Sequence, residues 1–159
     1  KAADFVSIMA YDDSKSIGPA ASLPWATSVL EYALARIPAE KISFGVPFYA
    51  WVRRASTNEK EYSRTYPAIA EILKSRSYIK KGWSEDLAVS YVTYIRGGKK
   101  YTAWYEDQKS FEAKMQLVSG SNLRGFSAWA LGQEDPKVWD TVLAMRNSDA
   151  GFALNTLRE

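Results

Sequence analysis

The chain has 159 residues, 47% of them hydrophobic and 25% charged, a globular mix long enough for one domain with a real core. Net charge is only +3 and the basic residues are scattered, so the dense basic stripe of a phosphate-tracking protein is missing and nucleic acid is not an expected partner. There is no Cys and no His, which excludes a Ser-His-Asp triad, an imidazole base, a disulfide scaffold and the common zinc sites; no metal or cofactor is expected.

Residues 4–10, "DFVSIMA", read as a strand buried on both faces, as in parallel sheets. The strand exits into Tyr11, Asp12 and Asp13 and then a Gly/Pro-punctuated loop. In "WATSVLEYALARI" the apolar residues Val29, Leu30, Ala33, Leu34 and Ile37 fall at helical spacing, with Pro38 as the stop. "KISFGVPFYAW" (41–51) is a second continuous apolar run and reads as one buried strand. Strand, helix and strand with a long connection imply a right-handed parallel βαβ unit.

The pattern then changes. Residues 52–64 are polar and charged, and "PAIAEILKSR" (67–76) is a short helix with Pro67 in its first turn. "AVSYVTYI" (88–95) and "KKYTAWYED" (99–107) flank Gly97–Gly98, a hairpin signal. Lys80–Lys81 and Lys99–Lys100 each sit beside Gly and read as solvated turns. Residues 52–105 therefore read as a small α+β insertion, with Tyr91 and Tyr101 on its sheet faces.

The crossover pattern resumes with a helix at 107–120 and a third buried strand, "LRGFSAWAL" (123–131). A last helix at 134–146 follows, with Asp135 as N-cap and Pro136 at its first position. Glu112 and Lys114 are expected on solvated helix faces, as are Glu31 and Arg36. Residues 148–159 read as a frayed or loosely docked tail. Three parallel strands are too few for a closed barrel, but they could be an open sheet or the last part of a barrel. No run of apolar residues reaches the length of a membrane span. No signal peptide precedes Lys1, and the chain, lacking an initial Met, is expected to be a processed product or an excised segment. The 14% aromatic share hints at a planar or ring-shaped ligand.

"DFVSIMAYD", "KISFGVPFYAW" and "YTAWYEDQKSFEAKMQLVSGSNLRGFSAWALGQEDPKVW" together resemble the last three barrel strands of family 18 glycoside hydrolases. That family comprises chitinases, spore-germination N-acetylglucosaminidases and non-catalytic chitolectins. The resemblance covers nearly the whole chain and implies an α/β fold: the C-terminal part of a TIM (β/α)8 barrel, formed by 1–51 and 106–147, with the 52–105 insertion between the last two strands. It implies that Met9 and Tyr11 line the subsite of the reacting N-acetylglucosamine and that Tyr11 bonds the acetamido group. Asp12 would help hold that sugar, and Trp129 would form the floor beneath it. Tyr49 is a further cleft candidate, and a cis Trp129–Ala130 peptide is implied. Of the remaining tryptophans, Trp25, Trp51 and Trp139 are expected in packing, and of these Trp51 is the candidate to reach a sugar.

The resemblance also implies a chemistry suited to a chain without His, because the substrate's own acetamide is the nucleophile. The family's general acid is a Glu closing a D-x-x-D-x-D-x-E signature on an earlier strand, and residues 1–159 contain no such pattern. The expectation is a portion of a glycosidase acting on chitin- or peptidoglycan-type glycans, inactive alone. The alternative is a chitolectin-like binding protein. "WALGQEDPKVW" resembles bacterial members of the germination and cell-wall type, which implies a secreted or cell-envelope location. A three-stranded piece with open edges is expected to need a partner, either the missing N-terminal barrel portion or a second chain.

Overall fold

The computed structural model describes residues 2–147, so the expected tail at 148–159 lies outside the described residues. Two sheets share the chain. The first is parallel and three-stranded, with β2 (Ile42–Pro47) between β1 (Val6–Ile8) and β8 (Gly125–Trp129). The second is antiparallel and five-stranded, in the order β4 (Lys60–Thr65), β3 (Tyr49–Arg54), β7 (Lys99–Tyr105), β6 (Val89–Arg96), β5 (Lys80–Ser84).

The parallel sheet packs one face on helices α1 (Leu23–Leu34), α3 (Gln108–Gly120) and α4 (Val138–Asn147). Ile42, Phe44 and Val46 of β2 meet Ala26 and Leu30 of α1 and Phe111, Met115 and Val118 of α3. Each fully buried side chain of this size contributes about 1.5–3 kcal/mol. The opposite face is lined with small residues. Ser7 and Ser127 join their hydroxyls at 2.6 Å across β2, above Ser43 and Gly45. The caps explain where the helices start. Ser22 accepts from the Trp25 N–H, and Asp107 and Ser110 exchange side-chain-to-backbone bonds in a capping box.

The second sheet buries Ala50, Val52, Val92, Tyr94, Tyr101, Ala103 and Tyr105 against Ile69 of α2 (Tyr66–Ser75). Gly97 and Gly98 have φ of 56° and 70°, the left-handed pair that a two-residue hairpin turn demands.

Several expectations are corrected. The first strand is only three residues long and lies at the sheet edge, so Val6 is exposed and Ile8 only half-buried against the core, rather than both being buried on both faces. The third is also an edge strand and only half-buried. The run 41–51 is two strands in two sheets. Pro47 ends the parallel pairing, Phe48 donates its N–H to the Trp129 carbonyl at 2.7 Å, and Tyr49 begins the second sheet. The polar stretch before residue 65 contains β4, and Lys80–Lys81 and Lys99–Lys100 belong to β5 and β7 rather than to turns. The last helix starts at Val138, after a turn in which Asp135 accepts the Lys137 N–H. Lys114 is not on a solvated face: it is 0% exposed and pairs with Glu106 at 2.7 Å. Tyr101 joins the insertion core, whereas Tyr91 lies on the other face against Trp104.

Candidate active site

The C-terminal ends of β1 and β8 and the β3–β4 hairpin enclose an open cleft of about 610 Å³. Its lining includes Met9, Tyr11, Asp12, Tyr49 and Trp129. Met9 is 71% and Trp129 62% exposed, so two large apolar groups face open space at the mouth. Trp129 precedes a cis peptide to Ala130. Its carbonyl is fixed by Phe48, and the loop beyond it is held by the Gln133 carbonyl, which accepts the Tyr66 N–H at 2.8 Å.

Tyr11 and Tyr49 meet edge to face, with ring centroids 6.3 Å apart. The Tyr49 hydroxyl donates to Asp12 Oδ1 at 2.6 Å, a short bond to a carboxylate that also orients its second oxygen. Burial, reinforced by Asp12, pushes the Tyr49 phenol far above its ordinary value. The Tyr11 phenol is raised for the same two reasons, burial first. Both stay protonated near neutrality and can donate hydrogen bonds. Among the described residues the Tyr11 hydroxyl has no hydrogen-bond partner of its own, leaving it available to a ligand.

Asp12 adopts φ 65°, a left-handed conformation that Asp tolerates better than most residues. The loop beyond it is anchored to the second sheet. Arg53, buried, donates to three backbone carbonyls: Nε to Gly18 at 2.6 Å, Nη2 to Ser16 at 2.6 Å and Nη1 to Asn58 at 2.7 Å. The 13–20 loop is thus stapled to β3, and the Asp13 N–H closes it on the Ala20 carbonyl.

The structure brings Met9, Tyr11, Asp12, Tyr49 and Trp129 together and leaves Trp51 out. Trp51 is 4% exposed, with the Lys60 ammonium 4.3 Å from its ring centroid and the Arg53 guanidinium 5.0 Å away. It shares a strand face with Tyr49, but these cations cover it. The residues that sequence reasoning missed are Lys60, Ser63, Arg64 and Thr65 on β4, Gln133 after β8, and Gly45. A Cβ at Gly45 would lie 2.4 Å from the Ile8 carbonyl and 3.1 Å from the Tyr11 ring, so only glycine lets the end of β1 fold over β2. A Gly inside a buried strand is the signal that could have found it. Among the described residues no cluster of acids is arranged to hold a metal ion.

Strand-end tyrosines, one carboxylate and an exposed indole over a parallel sheet make a ligand cleft of the kind α/β enzymes carry. The family model described as Glycosyl hydrolases family 18 matches residues 1–134, and the chain belongs to that family. It is 30% identical over 149 residues to the "Uncharacterized glycosylase YvbX" of Bacillus subtilis, covering 89% of this chain and 42% of that protein. It is also 30% identical over 146 residues to the B. subtilis "Cortical fragment-lytic enzyme", covering 86% of this chain and 33% of that protein. A chitinase from Chromobacterium violaceum superposes with a TM-score of 0.75 at 30% identity, over 89% of this chain and 45% of the chitinase. The chain thus spans less than half the length of each of these relatives.

Proposed function

We propose that this chain is the substrate-holding part of a glycosidase that hydrolyses β-1,4-linked N-acetylglucosamine glycans of chitin or peptidoglycan type. The observation that carries the reading is the Tyr11–Asp12–Tyr49 cluster set between the exposed Met9 and Trp129 at parallel-strand ends. The apolar face of a pyranose ring rests on the Trp129 indole. The Tyr11 hydroxyl and the Asp12 carboxylate hold the acetamido group. That group's oxygen forms the bond to the anomeric carbon as the glycosidic C–O bond breaks, and water later releases the sugar with retained configuration.

The leaving oxygen needs a proton. Asp12 is the only carboxylate among the cleft-lining residues, and it is bound to Tyr49 on the acetamide side. The donor therefore comes from elsewhere, and without it the reaction runs about 10²–10⁴-fold slower. The share of each relative that this chain covers supports reading β1, β2 and β8 as one sector of a TIM barrel and residues 49–105 as an insertion between its last two strands. The open edges β1 and β8 are where the remaining strands, or a second chain, complete the sheet. The names of the relatives support a secreted or cell-envelope location.

Binding and cleavage of a chito-oligosaccharide by this chain test the proposal. Binding without appreciable hydrolysis, weakened in Tyr11→Phe and Asp12→Asn by about 1 kcal/mol or more each, supports it. No binding, or binding indifferent to both substitutions, overturns it. Rapid hydrolysis by the chain alone overturns the external proton donor.

A further inference from the structure

Positive charge is distributed unevenly along the chain. Residues 49–105 hold eleven of the 21 Lys and Arg but only five of the 18 Asp and Glu, so the remainder is net acidic. Much of that excess gathers at one end of the second sheet, where the β3–β4 turn lies beside the Gly97–Gly98 turn. Between them is a concavity of about 360 Å³ lined by Arg54, Ala55, Ser56, Gly98, Lys99 and Lys100. The Ala55 N–H donates to the Lys100 carbonyl at 2.9 Å, and the Arg54 N–H to the Glu59 carbonyl at 3.0 Å, so the two turns are fixed to each other.

The lining contains no carboxylate. Two acids of the neighbouring strand and turn act on it: Glu61, engaged by Arg54 and the Tyr101 hydroxyl and within the field of Lys99, and Glu59, within the field of Arg54. Lys99 and Lys100 are exposed and form no ion pair among the described residues. Beyond Arg54, on the same hairpin, Lys60 reaches the cleft wall. A concave site with two exposed ammonium groups outside any ion pair, beside an Arg54 already held by Glu61, keeps a net positive charge and matches an oxyanion.

We propose that this tip is an anion subsite for the charged groups of a glycan whose sugars lie in the cleft, with Lys60 as the link between the two. The inference rests on the glycan-binding reading and narrows it: of the polymers that carry N-acetylglucosamine, those bearing oxyanions are preferred over neutral ones. The oxyanion is a carboxylate on the sugar or a phosphodiester along the polymer. Lys99 and Lys100 set the preference without touching the reacting sugar.

The test compares three probes on the intact chain: a neutral chito-oligosaccharide, an N-acetylglucosamine–N-acetylmuramic acid oligomer of equal length with free lactyl carboxylates, and soluble polyphosphate. At low salt the acidic oligomer should bind about three- to tenfold tighter than the neutral one, the effect of two or so exposed charge contacts. The advantage should vanish at about 0.5 M salt, where screening is nearly complete over the width of the site. A Lys99→Gln/Lys100→Gln double variant should lose the advantage while keeping its melting temperature and its neutral-oligosaccharide affinity. If only polyphosphate responds to the double variant, the anion subsite holds and its source is a phosphodiester. Equal binding of both oligomers with no effect of the variant on polyphosphate overturns the proposal, as does duplex DNA competing as well as the acidic oligomer. If neither oligosaccharide binds, the glycan reading itself fails, and the response of polyphosphate to the variant separates that failure from loss of the anion site.

Discussion

The two sheets of this chain solve burial differently. The antiparallel sheet builds its own core: its helix, its hairpins and a cluster of tyrosines cover one face. The parallel sheet buries its central strand on both faces yet leaves Phe5, Val6, Met9, Trp129 and Leu131 exposed along its flanks. Burial thus protects what holds the sheet together and leaves apolar groups open at the cleft mouth and along the sheet edges. The cleft lies on the line between the two regions and draws residues from both.

The seam itself gives the strongest way to break this arrangement. Lys114→Met leaves Glu106 buried without its cation, between the end of β7 and α3. Thermal or denaturant unfolding should report a loss of about 3–5 kcal/mol, and adding Glu106→Leu should restore much of it. A smaller effect is expected on the parallel side only. Gly45→Ala drives a methyl into the Ile8 carbonyl and the Tyr11 ring. It should lower stability by about 1–3 kcal/mol and loosen β1 in hydrogen exchange while the β6–β7 amides keep their protection. Tyr49→Phe removes one hydrogen bond to Asp12, worth about 1 kcal/mol, and should weaken oligosaccharide binding more than it lowers the melting temperature.

The last effect is a titration. Tyr62, raised by burial but lowered on balance by its bond to Tyr94 and by Arg96 and Arg64, opposes the trend. Tyr11, Tyr49, Tyr66, Tyr94, Tyr101 and Tyr105, by contrast, all have phenols raised above 10.0 chiefly by burial, Tyr105 to about 12. The folded state holds these protons more tightly than the unfolded chain does. Their contribution to stability is therefore complete below pH 10 and is lost as pH rises above it. Absorbance of the native protein near pH 10 should show fewer ionised phenols than the urea-unfolded chain, and stability should fall between about pH 10 and 12. Equal absorbance in the two states would contradict the burial that raises these groups.

The residues that gather in the cleft were legible in the sequence through the family resemblance, which pointed to Met9, Tyr11, Asp12, Tyr49 and Trp129. Met9, Tyr11, Asp12 and Trp129 stand at strand ends, where the hydrophobic pattern stops, and Tyr49 lies inside an apolar run. The β4 residues were not legible for a physical reason. "KEYSRT" is an edge strand with no strictly alternating apolar face, so its pairing with β3 left no hydrophobic period to read. Lys114 was misread because its charge suggested solvent, although its neighbours Phe111, Met115 and Val118 already marked the buried face of α3. Trp51 has the right residue type on the right strand face, yet the cation that hides it arrives from β4, the strand the pattern could not reveal.

The passage from one sheet to the other takes a single residue, Phe48, whose backbone is tied to Trp129 and whose ring packs against Phe111 and Trp139. A joint that short has no slack to swing on. The two walls of the cleft are held at a fixed angle as soon as the chain folds, so the second sheet behaves as a fixed jaw rather than a closing lid. An oligosaccharide then meets a gap whose width is already set, and its arrival should register as one kinetic step instead of a capture followed by a slower closure.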